Sequence, residues 1–380
     1  MTKDFHSKPF DESTKLKLDI FRECFKEWLP VFIHNPYIEH VFIFDFFAGS
    51  GKDKTGFYGS PLILLEEARG ENRKYCTKVR KKVTFNFYDR SAQKIEELRR
   101  NVKDFFWECK EKNCCKECVY EIEIQRCEFK KLLEKEEIQG ILSNTKFGKF
   151  VLLDQCGFKE ISPNVFRILT ESPKTDFIFF ISSDFVRRFK EHPSVKRYID
   201  TSGINVDEGK PIEYHRAIAN YYRNLMVGKE NYYLHHFSIK KPKEKGGNIY
   251  GLIFGSNHTL GMEKFLKVCW KHDKYSGESN FNIDSDYEEG NLFYNPNRTN
   301  KQIKMRQKLE QMILSRDITD NIAGFKYALK NGCLPILFTE VVLNLEKEGK
   351  IRREGDVKNA STNIHKVKEY KINVISNEHN

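Results

Sequence analysis

Three carboxylates that each close an apolar run are the residues whose type and placing could do chemistry. Asp45 follows Val41–Phe44, Asp89 follows Val83–Tyr88, and Asp154 follows Phe150–Leu153. A carboxylate at a strand end accepts hydrogen bonds from a hydroxyl, an amine or an ammonium. The first acid leads into Phe46-Phe47-Ala48-Gly49-Ser50-Gly51. Two glycines one residue apart make a tight, Cβ-free turn, and such a turn lets a ligand approach the backbone. This turn lacks the third glycine of the dinucleotide fingerprint and carries an aromatic residue. A nicotinamide oxidoreductase is therefore the least favoured reading. Asp89-Arg90-Ser91 also reads as a helix N-cap.

Positioning these acids needs a layered α/β architecture. An amphipathic helix over 11–35 is expected first, capped by Asp11, with Leu16, Ile20, Phe21, Cys24, Trp28 and Leu29 near helical spacing. Strands then alternate with helices: strand 41–44, helix 60–68, strand 83–88, helix 91–103, strand 119–124, helix 129–133, strand 150–153 and strand 176–181. Ser60 is read as the cap of the second helix, with Pro61 at its first position. This alternation predicts a doubly wound parallel sheet. Runs 232–240 and 248–254 flank a turn-rich stretch and predict a hairpin, so one edge of the sheet is antiparallel. A helix over 258–270 follows. Beyond a polar stretch over 272–300, helices are expected over 302–315, 322–331 and 334–348, then a ribbon of Lys350-Ile351-Arg352-Arg353 with Tyr370–Val374. Three helices and a basic ribbon resemble a winged helix-turn-helix. The domain expectation is 1–275 for the sheet domain with its N-terminal helix, 276–300 for a linker and 301–375 for the winged helix.

The 380 residues include 31 Phe and 17 Tyr, enough to fill a sizeable core. Lys and Arg number 65 against 54 Asp and Glu, a net charge of +11. That excess fits a polyanionic partner such as nucleic acid, or a Lys-rich solvated surface. No secretory leader opens the chain and no apolar run is long enough to span a bilayer, so a cytoplasmic protein with no membrane partner is expected. Ten cysteines in such a chain read as reduced thiols. Cys109, Cys114, Cys115 and Cys118 cluster, but structural zinc needs a second, well-separated pair. No metal is expected.

Asp45-x-Phe47-x-Gly49-x-Gly51 resembles the first motif of class I S-adenosylmethionine (SAM) methyltransferases. The resemblance implies a Rossmann-like fold, with SAM at the carboxyl ends of the strands. Ala48, Gly49, Ser50 and Gly51 would wrap its methionyl and ribose parts, Asp45 would anchor the ammonium, and Phe47 would wall the pocket. Asp89, with Arg90 beside it, would hold the ribose hydroxyls. Glu128 would take the adenine amine, with Cys127 or Phe129 flanking the ring. Amino-directed enzymes carry Asp/Asn-Pro-Pro-aromatic after the fourth strand, where this chain has Asp154-Gln155-Cys156-Gly157. Asp154 and Gln155 are expected to orient the acceptor, and Phe158 would supply the missing stacking ring. Cys156 as a cytosine C5 nucleophile is a competing reading against a buried thiol. The start of the helix at Gly59-Ser60-Pro61 is suited to an anion as well as being a simple cap.

Lys15-Leu16, Trp28, the 44–51 motif, Gly59-Ser60-Pro61-Leu62-Ile63, Asp154-Gln155-Cys156-Gly157 and Tyr250–His258, in that order, resemble the bacterial three-Cys-motif partner protein (TcmP) family. Members commonly show Asp-Pro-Tyr/Phe-Gly at the fourth motif, from which Gln155 and Cys156 depart. The Gly-Ser-Pro-Leu segment is also similar to one in bacterial enzymes that methylate adenine N6 in large-subunit ribosomal RNA. The resemblance implies a SAM-dependent methyltransferase acting on DNA or RNA, with a three-Cys-motif protein as a possible partner. The alternative is a catalytically inactive adaptor that docks another enzyme through its winged helix.

Overall fold

The computed structural model describes residues 8–70, 76, 79–111, 118–155, 157–204, 213–226, 228–229, 231–242, 248–284, 299–355 and 364–375. The chain divides into two compact units, Met1–Tyr232 with Ile239–Asn257, and Tyr233–Ser238 with His258–Asn380.

In the first unit, α1 (Glu12–Ile33) starts at Asp11, whose carboxylate accepts the Thr14 N–H at 2.8 Å. It buries Leu18, Phe21, Phe25 and Trp28. Strand β1 (His40–Asp45) is apolar along nearly its whole length because both faces are covered. The following elements are α2 (Ser60–Arg69), β2 (Lys82–Asp89), α3 (Ala92–Glu111), β3 (Glu121–Arg126), α4 (Phe129–Leu133), α5 (Glu136–Ser143), β4 (Phe147–Leu153), α6 (Pro163–Glu171), β5 (Thr175–Ile181), α7 (Ser183–Arg188), α8 (Pro193–Lys196) and α9 (Tyr214–Asn224). Strands β6 (Tyr233–Lys240), most of which falls in the second unit, and β7 (Ile249–Ser256) complete the sheet.

The seven strands run in the order β3-β2-β1-β4-β5-β7-β6. β1 pairs in parallel with β2 and β4, and β7 is antiparallel to β5. This is the class I methyltransferase-like sheet that the sequence predicts. The chain order reverses at β1, so the crevice at the carboxyl ends of β1, β2 and β4 is the switch point where ligands bind in such folds. Helix α1 packs directly on β4: Trp28 and Phe25 set their rings 5.1 and 5.5 Å from Phe150.

Strand β4 begins at Phe147, earlier than the apolar run alone implies, and includes a Lys149 with no solvent exposure. Its Nζ donates to the carbonyls of Leu142 and Asn144 at 3.2 and 2.8 Å. Those carbonyls end α5, so the Lys149 amine satisfies acceptors that the helix itself leaves open. The third strand also differs from expectation, starting at Glu121 and not at Val119.

The second unit contains α10 (Thr259–His272), α11 (Asn300–Leu314), α12 (Asn321–Lys330), α13 (Ile336–Lys347) and an antiparallel ribbon of β8 (Ile351–Gly355) and β9 (Tyr370–Val374). Ala328, Cys333 and Leu337 form a buried cluster against Trp270 and Met305. Asn321 ties α12 to the ribbon strand, donating to the Lys368 carbonyl and accepting the Tyr370 N–H at 3.0 and 2.9 Å. Within the stretch read as a linker, residues 275–279 fold back on Asp273, whose carboxylate accepts the N–H groups of Tyr275, Glu278 and Ser279. Residues 285–298 lie outside the described residues. Among the described residues, no helix is long and apolar enough to cross a membrane.

Candidate functional site

The parallel register sets the three acids side by side. Asp45 pairs with Phe87 of β2 and Leu152 of β4. Asp89 and Asp154 therefore stand two residues beyond it on the neighbouring strands. With side chains alternating at a period of two, all three share one parity at the carboxyl edge.

Asp45 is fully buried. Its carboxylate accepts the Ser60 hydroxyl at 2.6 Å and the Phe47 N–H at 3.1 Å. Burial pushes its pKa up to about 7; the two hydrogen bonds oppose that rise, and the Asp154 and Asp89 charges add to it. Ser60 is thus not the cap expected from sequence. Gly59 is the N-cap, and Ser60 is the first helical residue with its hydroxyl turned into Asp45. The Gly59 N–H is engaged by the Gly51 carbonyl at 2.7 Å, which closes the loop between the two motifs.

Gly49 and Gly51 have φ of 63° and 81°. These left-handed values favour glycine. A Cβ on Gly51 would also stand 2.7 Å from Leu98 Cδ1. The turn is held from outside: the Ala48 N–H donates to the Tyr88 carbonyl at 2.9 Å, and Asn101 donates to the Ser50 carbonyl at 2.7 Å.

Asp89 joins the glycine turn to the start of α3. One carboxylate oxygen accepts the Gly49 N–H at 3.1 Å and the other accepts the Ser91 N–H at 2.8 Å. Each oxygen has a second lone pair, and the side chain is only partly buried. The carboxylate can therefore still accept from a diol. Arg90 is exposed, and its carbonyl accepts from Arg126 at 3.1 Å. Glu128 is the exposed N-cap of α4 and makes no side-chain capping bond. Phe129 is buried, with its ring 5.1 Å from Phe46 and 5.4 Å from Phe47.

At the end of β4, both oxygens of Asp154 accept from the Lys17 ammonium, at 2.7 and 2.5 Å. The same ammonium lies 5.0 Å from the centre of the Phe180 ring. Gln155 is buried and spans two backbone groups, donating to the Phe180 carbonyl at 3.1 Å and accepting the Glu160 N–H at 2.9 Å. It shapes the loop behind Asp154. Phe158 is buried, so it does not offer the exposed stacking face expected of it. Cys156 lies outside the described residues.

The structure thus gathers Asp45, Phe47, Ala48, Gly49, Ser50, Gly51, Asp89 and Asp154 at one edge and sets Arg90 and Glu128 on its outer surface. Sequence reasoning missed Ser60 as the partner of Asp45 and Lys17 as the partner of Asp154. Lys17 carried a signal: it is four residues from both Ser13 and Phe21, on the buried stripe of α1. Cys114 and Cys115 fall outside the described residues, and among the described residues no cluster of three metal-ligating side chains occurs.

No protein-family model matches the chain, and no curated protein matches it. Among solved structures, the chain is similar to the human methyltransferase 10 domain containing protein, at 9% identity and TM-score 0.31 over 63% of this chain and 83% of that one. It is also similar to the METTL16 MTase domain, at 10% identity and TM-score 0.28 over 62% and 66%. A third is the O-methyltransferase TomG from Streptomyces achromogenes, solved with SAM, at 10% identity and TM-score 0.30 over 65% and 90%. Likenesses this shallow carry no argument about chemistry, and the fold assignment rests on the strand order and pairing.

Proposed function

We propose that the chain is a SAM-dependent methyltransferase whose acceptor is a nucleic acid, in a TcmP-like bacterial system. The observation that carries this reading is Asp89 at the switch point, fixed to the glycine turn through the Gly49 N–H and still able to accept from a diol. The residues present fit the cofactor: a Cβ-free turn for close backbone approach, an acceptor carboxylate for its ribose, and the Phe47 ring beside the turn.

Bound there, SAM supplies an electrophilic methyl group, so the protein's task is to orient a nucleophile and manage its proton. Ser60 and the Phe47 N–H hold Asp45 in place beneath the turn. Lys17 fixes the rotamer of Asp154 and balances its charge. A charge-balanced pair suits a neutral amine or hydroxyl better than a cationic ammonium. Gln155 holds the loop that carries this pair.

The three helices α11–α13 with the β8–β9 ribbon support a winged helix that reads nucleic acid. Arg352 is exposed there. Arg353 is engaged by Glu346 at 3.0 Å and lies against the Tyr370 ring. Arg352 is therefore the ribbon cation to reverse, and Lys358 lies outside the described residues. The test is incubation of the full chain with methyl-labelled SAM and total bacterial DNA or RNA. Label in either polymer supports the reading, and label in neither, with SAM bound, contradicts it.

A further inference from the structure

We infer that the segment between β5 and residue 199 forms a stacking rim for single-stranded nucleic acid at the carboxyl edge of the sheet. This inference deepens the nucleic-acid reading above and rests on it for the acceptor's location.

The segment is tied to the crevice at two places. The Ser182 N–H donates to the Gly157 carbonyl at 3.0 Å, just past the Asp154 loop. Further on, the Lys130 ammonium of α4 lies 4.9 Å from the centre of the Tyr198 ring. The segment therefore reaches from the end of β5 towards the end of β3, along the edge that holds the three acids.

Its side chains are unusual for a surface. Phe185 and Phe189 are 39% and 45% exposed, large values for phenylalanine. Their ring centres are 4.6 Å apart, and Phe185 rests on the buried Phe158 ring at 5.4 Å with an interplanar angle of 27°. Phe158 thus serves as the base of a stack whose upper members face water. Between residues 184 and 200 there are five Lys or Arg against three Asp or Glu. Asp184 pairs with Arg187 at 3.0 Å and Glu191 pairs with Lys196 at 2.7 Å. The Arg197 guanidinium lies 6.0 Å from the Tyr198 ring centre. Exposed aromatic faces interleaved with surplus cations are what an unpaired strand requires: rings to stack its bases and charge to follow its phosphates. A duplex keeps its bases stacked inside and cannot use the rings.

The test is fluorescence anisotropy of the full chain with a labelled mixed-sequence 12-nucleotide single-stranded RNA and with its duplex, beside calorimetric SAM titration of the same samples. The rim predicts tighter binding of the single strand. It predicts a loss of tenfold or more in Phe185→Ser/Phe189→Ser with SAM affinity unchanged, and a shallower salt dependence in Lys190→Glu/Arg197→Glu. Unchanged oligonucleotide affinity in both double variants, each confirmed folded by its melting curve, overturns the rim, as does preference for the duplex. Loss of SAM binding with the ring dependence intact would remove the cofactor reading and leave the rim standing.

Discussion

The ammonium of Lys17, on the N-terminal helix, sits 2.7 and 2.5 Å from the two carboxylate oxygens of Asp154, at the end of the fourth strand. Residues 137 positions apart are joined there, and both side chains are mostly shielded, at 11% and 19% exposure. The helix thereby supplies a functional group to the crevice as well as a packing face to the sheet. Lys17→Met leaves a shielded carboxylate without its cation, so we expect a stability loss of about 1–3 kcal/mol in urea unfolding. Methyl transfer should fall at least tenfold while SAM affinity is kept. The double variant Lys17→Met/Asp154→Leu should recover most of the stability and none of the activity, because a buried pair is costly mainly when half of it is removed.

Asp45 gives the fold a pH signature. Its folded pKa is raised from 3.8 to about 7 by burial. The folded state therefore binds more protons than the unfolded state in this interval, and the contribution of Asp45 to stability falls as pH rises from about 4 to about 7, then levels. Asp176, raised to about 7 by burial, acts in the same direction, and His215, lowered to about 4 by burial, acts in the opposite one. Comparing variants isolates the Asp45 part. The stability of Asp45→Asn relative to the native chain should improve between pH 4.5 and 7 by a few kcal/mol and stay flat above that. A relative stability independent of pH would contradict the assignment.

Gly51 couples backbone and packing. Gly51→Ala places a Cβ 2.7 Å from Leu98 in a left-handed backbone. We expect a loss of about 1–3 kcal/mol in thermal or urea unfolding, with weaker SAM binding. Gly56 also has positive φ, but a Cβ there meets nothing within 4 Å. Gly56→Ala should cost about 1 kcal/mol and leave SAM binding unchanged, separating the clash from the conformational term.

Lys149 is a structural hydrogen-bond donor whose pKa burial pulls down to about 7. With its Nζ on the carbonyls that end α5, Lys149→Met should destabilise the chain by about 2–4 kcal/mol, read by urea unfolding, without altering SAM affinity.

Much of the sheet was legible because parallel strands buried on both faces read as continuous apolar runs, as Val41–Phe44 and Phe177–Ile181 do. The acids at their ends were legible for the same reason, since each interrupts such a run. Lys149 hid the start of β4, because a lysine inside a strand argues against burial unless its carbonyl partners, supplied by another element, are known. Ser60 was misread because Ser before Pro at a helix start looks like a cap, and only the tertiary approach of α2 to β1 turns its hydroxyl into Asp45. Helices α5 to α9 escaped the sequence reading, and in two of them the apolar residues, Val165, Phe166 and Leu169 of α6 and Ile218, Tyr221 and Tyr222 of α9, lie in short polar-rich stretches. The stacked rings of Phe158, Phe185 and Phe189 come from the loop after β4 and from α7 with its C-cap, which only the folded sheet brings together.

The most direct measurement is calorimetric titration of SAM into the native chain and into Asp89→Ala. If Asp89 holds the cofactor's ribose, the native chain binds one equivalent with micromolar affinity and the variant binds at least about tenfold more weakly, the loss of a hydrogen bond to a charged acceptor. No heat with the native chain, or equal affinities in a folded variant, would contradict the account.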